Sequence, residues 1–265
     1  MPVNEFHHQV ATIVLRVAAE YGFAVGGGTA LIAHGIVDRY TADLDLVSPQ
    51  EGAVEAAAAL VEAALRAEGL QAERQDRADG LIDEWPEWQD DLGGGLGEWV
   101  ITAAGGEQMV LQMAYFDRSR APVIIDAVPV LDVEDAVGWK VHAFVTRVEP
   151  RDAYDVAMAL GRYSVEQLAG FALRVEPSLL PEEFADAARN LDATTDARFA
   201  RIGLTPDVIA LIRRRLATWP RDPSQVPGAT GNQPRPHAGL RPERYASRTK
   251  RYPPGGGSPR RGPGF

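Results

Sequence analysis

Three successive glycines, Gly26, Gly27 and Gly28, separate a short apolar segment from a helical pattern over 29–35. This order indicates a strand whose backbone turns directly into the N-terminus of a helix. Glycine tolerates positive φ and lets a ligand approach the backbone, and the unpaired N–H groups of a helix start favour an anion such as phosphate. The hydroxyl of Thr29 follows at the same place. We therefore predict a phosphate-binding turn formed by Gly27, Gly28 and Thr29.

A strictly alternating segment over 43–47 carries two acidic residues, Asp43 and Asp45. Side chains two positions apart on a strand project from the same face, so these carboxylates lie close together. Neighbouring carboxylates raise each other's pKa unless a cation neutralises them, and Mg²⁺ takes oxygen ligands together with substrate phosphates. Arg39, just before the strand, can hold a phosphate in bidentate geometry. The segment predicts a magnesium site at Asp43 and Asp45, with Arg39 beside the phosphate.

Each of these signals has a simpler interpretation when it stands alone. A glycine run is most often an ordinary loop, and an Asp-x-Asp pattern is most often a solvated strand face or a pair of turn caps. Here the two occur together, with a strand, a helix and a step of 14 residues from Thr29 to Asp43. The combination favours one shared site for a phosphate and a metal.

Charge is unevenly distributed along the 265 residues. From residue 221 onward nine basic and two acidic residues give a net charge of +7, whereas the preceding residues carry −17, for a total of −10. The segment 221–265 is rich in Pro and Gly and poor in aliphatic residues, so burial cannot offset the entropy of ordering it. We predict a disordered basic tail, which is either an incidental extension or a contact for nucleic acid or for the acidic body.

Composition excludes several classes of protein. The chain has no Cys, which excludes disulfides and thiolate metal sites. It also has no apolar run near the ~20 residues that a membrane-spanning helix needs. The opening residues lack the basic flank and apolar stretch of a secretory signal. We therefore expect a cytoplasmic protein without a membrane partner.

The hydrophobic pattern changes character near residue 130. Before that point strand-like segments alternate with helices, and 99–102, 108–116 and 123–125 are predicted to be neighbouring antiparallel strands. After it, the apolar positions have helical spacing up to about residue 220. We expect an α/β domain over 1–130 and a helical domain over 131–220, followed by the tail. The expected fold class is α+β with a mixed sheet.

The glycine turn and the acidic strand together resemble the nucleotidyltransferase superfamily of DNA polymerase β. Its signature is a Gly-Gly/Ser turn followed by an acidic-x-acidic strand. The sequence more narrowly resembles the AbiEii/AbiGii nucleotidyltransferase toxins of bacterial toxin–antitoxin systems, which read Gly-Gly-Thr-Ala-Leu and then Arg-x-Ser/Thr-x-Asp-apolar-Asp. The matching residues are Gly27, Gly28, Thr29, Ala30, Leu31, Arg39, Thr41, Asp43 and Asp45. The resemblance implies a polymerase β-like nucleotidyltransferase domain, with the glycine turn and Arg39 binding the nucleotide.

The helical half carries two further motifs of that family. A lysine in the helix after the sheet corresponds to Lys140, and an Arg-Asp-x-x-Asp helix start corresponds to Arg151, Asp152 and Asp155. From the residues alone, Lys140 could extend its ammonium into water from the edge of an apolar face, and Asp152 could be a helix cap. The resemblance implies that Lys140 reaches the triphosphate and that Asp152 belongs to the catalytic site, orienting Lys140 or Arg151. We expect Asp155 to pair with Arg151 or Arg147.

One position departs from the family pattern. Polymerase-like relatives usually place a third acidic residue on a later strand, and Gln112 stands where that residue is expected. An amide oxygen is a poorer metal ligand than a carboxylate and a poor general base. Asp117 and Asp126 are the nearby alternatives. The sequence therefore leaves activation of the attacking hydroxyl without an assigned residue.

The resemblance implies a magnesium-dependent enzyme that moves a nucleoside monophosphate from an NTP to a hydroxyl. The glycine turn would hold the phosphates and the acidic strand the metal, while Arg39 and Lys140 would neutralise the leaving pyrophosphate. The implied acceptor is the 3′ end of tRNA, and the implied partner is a cognate antitoxin. Two alternatives remain open: transfer to a small molecule or a protein hydroxyl, and a degenerate domain that binds nucleotides without catalysis.

Overall fold

The computed structural model describes residues 5–75 and 95–226, which contain nine α-helices and seven β-strands. The strands are β1 (Ala24–Val25), β2 (Asp43–Ser48), β3 (Gln71–Arg74), β4 (Leu96–Thr102), β5 (Gln108–Tyr115), β6 (Val123–Ile125) and β7 (Val128–Val130). The helices are α1 (Glu5–Ala18), α2 (Gly27–Ala33), α3 (Ala53–Ala67), α4 (Val133–Arg147), α5 (Pro150–Ala159), α6 (Val165–Val175), α7 (Pro181–Ala193), α8 (Asp196–Ala200) and α9 (Pro206–Leu216).

The seven strands form one mixed sheet in the order β3-β4-β5-β2-β1-β7-β6. β2 pairs in parallel with β5 and β1 in parallel with β7, whereas the other neighbouring pairs are antiparallel. Leu44 and Leu46 of β2 are fully buried, so the alternating Asp43 and Asp45 project from the opposite face. A mixed sheet followed by helices confirms the α+β fold class.

Strand pairing corrects one expectation from the sequence. β4 and β5 are antiparallel neighbours, as predicted, but β6 lies at the far edge of the sheet and pairs with β7. The prediction missed β7 because Pro129 stands in its centre, and a proline cannot donate a hydrogen bond to a strand ladder. Without β7, the sequence offered no local partner for β6.

Helix α4 is the central helix of the second half, because it packs against α2, α5, α6 and α7. It begins after Asp132, whose carboxylate accepts a hydrogen bond from the Glu134 N–H at 2.9 Å. It ends at Val148, which has a left-handed φ of 53°, and Pro150 then occupies the first turn of α5. This short connection brings α5 back against α4, so that side chains of the two helices meet.

One hydrophobic core runs from the sheet into the helical half, and it includes Leu111, Phe144 and Trp219, each at most 2% exposed. The predicted tail is corrected at its start. Residues 221–226 pack on the helices: Arg221 donates to the Asp192 carboxylate, and Val226 is 4% exposed. The rest of the predicted tail, 227–265, lies outside the described residues.

Two helical glycines give a matched test of this packing. A Cβ on Gly138 of α4 would lie 2.6 Å from the Phe171 carbonyl oxygen of α6, whereas a Cβ on Gly170 would meet nothing within 4 Å. We expect Gly138→Ala to lower the free energy of unfolding by about 1–3 kcal/mol, because the helices must move apart. Gly170→Ala should raise it by up to about 1 kcal/mol through helix propensity. Thermal unfolding measures both, and equal shifts would contradict the packing.

Candidate active site

The glycine turn and the acidic strand meet, as the sequence predicts. The Gly26 N–H donates to the Asp45 carbonyl at 2.8 Å, which ties the turn to β2. Gly27 has φ +53°, and a Cβ there would overlap the Asp45 carboxylate. A Cβ on Gly28 would lie 2.9 Å from Nη2 of Arg39. Glycine is therefore required at Gly27, where the carboxylate lies directly against the backbone at a positive φ, whereas at Gly28 the guanidinium of Arg39 would have to shift to admit a Cβ.

Thr29 occupies a different position from the predicted one. It is 4% exposed, and its hydroxyl donates to the Asp43 carbonyl at 3.3 Å. Of the predicted site residues, all of which lie in the described ranges, Thr29 alone does not line the cavity described below. Because α2 packs on β2, the third residue of the helix turns its side chain toward the strand rather than toward a ligand. Thr29 therefore steadies the strand that carries Asp43.

The start of α5 supplies a fully buried carboxylate, Asp152. Arg147 binds it with two hydrogen bonds, Nε to Oδ2 at 2.6 Å and Nη2 to Oδ1 at 3.0 Å. The Lys140 ammonium lies 3.4 Å from Oδ1. Asp152 thus holds two cations of α4, and it contacts Lys140, one of the two partners that the sequence suggests.

A second fully buried carboxylate, Asp155, lies one turn further along α5. The sequence predicts Arg151 or Arg147 as its partner, but the structure pairs it with Arg39 and Lys140. Arg39 donates from Nε and Nη2 to the two carboxylate oxygens, each at 2.8 Å, and Lys140 Nζ lies 3.2 Å from Oδ2. The bidentate pair joins the loop before β2 to the helical half.

The charges of this network reinforce one another. Burial lowers the pKa of Lys140, but Asp155 and Asp152 outweigh that effect and raise it above its usual value. Burial likewise raises the pKa of Asp152, but Lys140 and Arg147 hold it below its usual value. The ammonium of Lys140 and the carboxylate of Asp152 therefore both stay ionised at neutral pH.

Asp43 and Asp45 differ from this buried pair. Within residues 5–75 and 95–226, no side chain or backbone group donates a hydrogen bond to either carboxylate. Burial raises the pKa of Asp45, an effect only partly offset by Lys140. An uncommitted carboxylate whose ionised form is disfavoured gains from a bound cation, so the pair fits Mg²⁺. The described residues contain no cluster of three His, Asp or Glu around a metal position, so phosphate and water oxygens would supply the other ligands.

Gln112 and its hydrogen-bond partner Glu98 occupy the place of the expected third carboxylate. Gln112 lies opposite Asp45 in the sheet register, and its Nε2 donates to the Glu98 carboxylate at 2.8 Å. Glu98 lies opposite Gln112 on β4, one strand further from Asp45, and the sequence analysis missed it. The two alternatives that the sequence offered, Asp117 and Asp126, are described residues that do not line the cavity.

These residues surround one cavity of about 420 Å³ between the sheet and α4. Its lining includes seven of the eight predicted site residues, namely Gly27, Gly28, Arg39, Asp43, Asp45, Lys140 and Asp152. It also includes Arg147, which the sequence suggests only as a partner of Asp155. Three aromatic rings, Phe116, Trp139 and His142, line the same cavity. Arg147 lies seven residues after Lys140, so the helical spacing was the signal that could have found it.

Comparison with known proteins gives a family. A sequence model for the nucleotidyltransferase AbiEii toxins of type IV toxin–antitoxin systems matches residues 12–221. A search of curated proteins finds no match. Among solved structures, a Helicobacter pylori protein assigned as a nucleotidyltransferase superposes with a TM-score of 0.50 at 14% identity, over 81% of this chain and 95% of that one. MenT4, a nucleotidyltransferase toxin from Mycobacterium tuberculosis, gives 0.52 at 15% identity, over 82% and 86%.

The fold and the site define a nucleotidyltransferase. The match over 12–221 shows more, namely that the chain belongs to the AbiEii family of nucleotidyltransferase toxins. Membership implies an NTP substrate and a cognate antitoxin. None of the helices that the structure describes combines the length and the apolar character needed to cross a bilayer.

Burial disfavours the ionised carboxylate of Asp45, which has no hydrogen-bond donor among the described residues, so we expect it to lower the free energy of unfolding. Asp45→Asn removes a charge that burial disfavours, so we expect a higher melting temperature than the wild type at pH 7 in EDTA. Because the pKa is raised in the folded state, this cost is complete above the raised pKa and absent below the ordinary carboxyl range of about 4. The gain should therefore shrink as the pH falls from 8 to 4. A variant less stable than the wild type at pH 7 would contradict the assignment.

Asp155→Asn, the same chemical change at a committed carboxylate, is the matched control. It leaves Arg39 without its buried partner, so the free energy of unfolding should fall by about 3–5 kcal/mol. The same thermal unfolding series measures it. A stability equal to that of the wild type would show that the buried ion pairs do not hold the site together.

The approach of Asp45 to Gly27 predicts a further effect. Gly27→Ala forces a Cβ against the carboxylate at a positive φ, so we expect Mg²⁺ with any of the four NTPs to lose its stabilising effect on unfolding. Gly105→Ala is the control, because a Cβ there meets nothing within 4 Å. A shift in melting temperature with Mg²⁺ and NTP that Gly27→Ala leaves unchanged would argue against nucleotide binding at this turn.

Proposed function

We propose that this chain transfers a nucleoside monophosphate from a Mg²⁺-bound NTP to the hydroxyl at the 3′ end of tRNA. The observation that supports it most directly is the difference between two pairs of acidic residues in one cavity. Asp152 and Asp155 are buried and committed to cations, whereas Asp43 and Asp45 have no described hydrogen-bond donor. The first pair positions positive charge for phosphate, and the second is left for a metal.

In the proposed complex the triphosphate lies between the glycine turn and α4. The backbone of Gly27 and Gly28 can approach phosphate oxygens closely, and Arg39 lies directly against Gly28. Lys140 has three N–H donors, of which Asp152 and Asp155 account for two. The third is then available to a phosphate oxygen.

The reaction replaces the phosphoanhydride bond between the α- and β-phosphates by a phosphoester bond to the acceptor. The acceptor oxygen attacks the α-phosphorus, the bond from that phosphorus to the bridging oxygen of the β-phosphate breaks, and pyrophosphate leaves while the hydroxyl proton passes to water. Mg²⁺ at Asp43 and Asp45 would supply charge neutralisation on the phosphates. Lys140 and Arg39 stabilise the charge that develops on the leaving group. Positioning and electrostatics therefore account for most of the catalysis.

The acceptor is constrained by size and charge. A cavity of about 420 Å³ has room for a nucleotide and the end of a second substrate, not for an RNA body. The residues before 221 carry a net charge of −17, which disfavours a broad phosphate-binding surface. Both facts favour an acceptor that presents a single terminal hydroxyl.

Label transfer tests the proposal directly. Incubation with each α-³²P-labelled NTP, Mg²⁺ and total tRNA should label the RNA at its 3′ end and release pyrophosphate. Asp45→Asn should lower the rate at least about a hundredfold, since loss of metal binding removes several kcal/mol of transition-state stabilisation. Asp126→Asn is the control: Asp126 is exposed, it has φ 47°, and asparagine tolerates that conformation. It should leave the rate unchanged.

Other results of this experiment would support one of the alternative functions instead. Pyrophosphate release without tRNA, or label on another acceptor, would favour a small molecule or a protein hydroxyl as the substrate. Nucleotide binding without any release would favour a degenerate domain. In cells, induced wild type should arrest growth and Asp45→Asn should not, and equal arrest by both proteins would contradict a catalytic origin of toxicity.

A further inference from the structure

The cavity has a charged end and an aromatic end. On its sheet side, Asp45 and Gln112 lie opposite each other, and two residues further along the strands Val47 lies opposite Ala114. Phe116 continues the same face of β5. At about 3.3 Å per residue, Phe116 lies roughly 13 Å along the strand from Gln112. Polar side chains therefore give way to apolar ones across the length of the cavity.

Helix α4 completes the aromatic end. Trp139 directly precedes Lys140, and its ring meets Phe116 edge to face with centroids 4.6 Å apart. The His142 ring also meets Trp139 edge to face, with centroids 5.3 Å apart. All three rings line the same cavity as Lys140 and Asp45. We call Phe116, Trp139 and His142 the aromatic wall.

Hydrogen bonds hold the Trp139 ring and the neighbouring loop in place. The Trp139 indole N–H donates to the Asp117 carbonyl at 2.9 Å. The buried Asp135 of α4 accepts from the backbone N–H groups of Ser119 and Arg120, each at 2.9 Å, which fixes the loop after β5 against the helix. A wall fixed in this way binds a flat ligand with little loss of conformational entropy.

We propose that the aromatic wall is a nucleobase subsite, an inference that rests on the nucleotidyl transfer proposed above. A ligand that fits this cavity is flat and weakly polar at one end and strongly anionic at the other. A nucleobase joined to phosphates has that form, and stacking of a base on an aromatic side chain contributes about 1–3 kcal/mol. The base belongs either to the NTP or to the terminal nucleotide of the acceptor.

Variants of Trp139 distinguish the contribution of the base from the contribution of the phosphates to binding. Calorimetry with Mg²⁺ on the full chain compares each NTP with inorganic tripolyphosphate, which lacks a base. Trp139→Leu should weaken NTP binding about tenfold and leave tripolyphosphate binding unchanged. Trp139→Phe retains a ring but loses the hydrogen bond to Asp117, so it should recover most of the NTP binding and leave tripolyphosphate binding unchanged. Phe116→Leu repeats the comparison at a second ring if Trp139→Leu does not fold.

A kinetic experiment with tRNA distinguishes the base of the NTP from the terminal base of the acceptor. If Trp139→Leu leaves NTP binding unchanged but raises KM for tRNA, with recovery in Trp139→Phe, the wall binds the base of the acceptor. If neither changes, or if tripolyphosphate binding falls as much as NTP binding, the subsite is overturned. Wild-type protein that binds tripolyphosphate but transfers nothing would refute the proposed function and leave the binding comparison intact. Wild type that binds neither ligand would refute both proposals.

Discussion

Two carboxylates with no exposure to solvent, Asp152 and Asp155, organise the site. A buried charge is costly unless it is paired, so each carboxylate requires cations at short range. Those cations come from two parts of the chain, Lys140 and Arg147 from α4 and Arg39 from the loop before β2. The need to neutralise two buried acids therefore places three positive groups on the wall of the cavity, where a polyphosphate can meet them.

The same cavity contains acids that the protein leaves without such partners. Burial raises the pKa of Asp45 because its ionised form lacks a full complement of favourable contacts. Proteins commonly accept this kind of instability at sites where a ligand later supplies the missing interaction. One pair of carboxylates at this site is thus held by ion pairs, and the other pair, Asp43 and Asp45, is left able to bind a ligand.

Local sequence explains much of the fold and part of the site. The alternation over 43–47 and the helical spacing over 133–147 are periodic signals, and both elements form as predicted. The pairing of β7 with β1 and the pairing of Asp155 with Arg39 depend on residues far away in the chain, which periodicity does not report. The prediction for Thr29 failed for a different reason: a motif gives the residue type but not the direction in which its hydroxyl points. The aromatic wall depends on the contact of Phe116, which follows β5, with Trp139 of α4, and a local pattern does not report that contact.

The bidentate contact between Arg39 and Asp155 spans 116 residues of sequence. A growing chain that has emerged only as far as β7 already contains the glycine turn and both strand carboxylates, yet it lacks Lys140 and the acid that holds Arg39. Closing so long a loop is entropically unfavourable until both ends are present. A toxin arranged in this way is incomplete during most of its own translation, and products that terminate before residue 140 lack both Lys140 and the acid that pairs with Arg39.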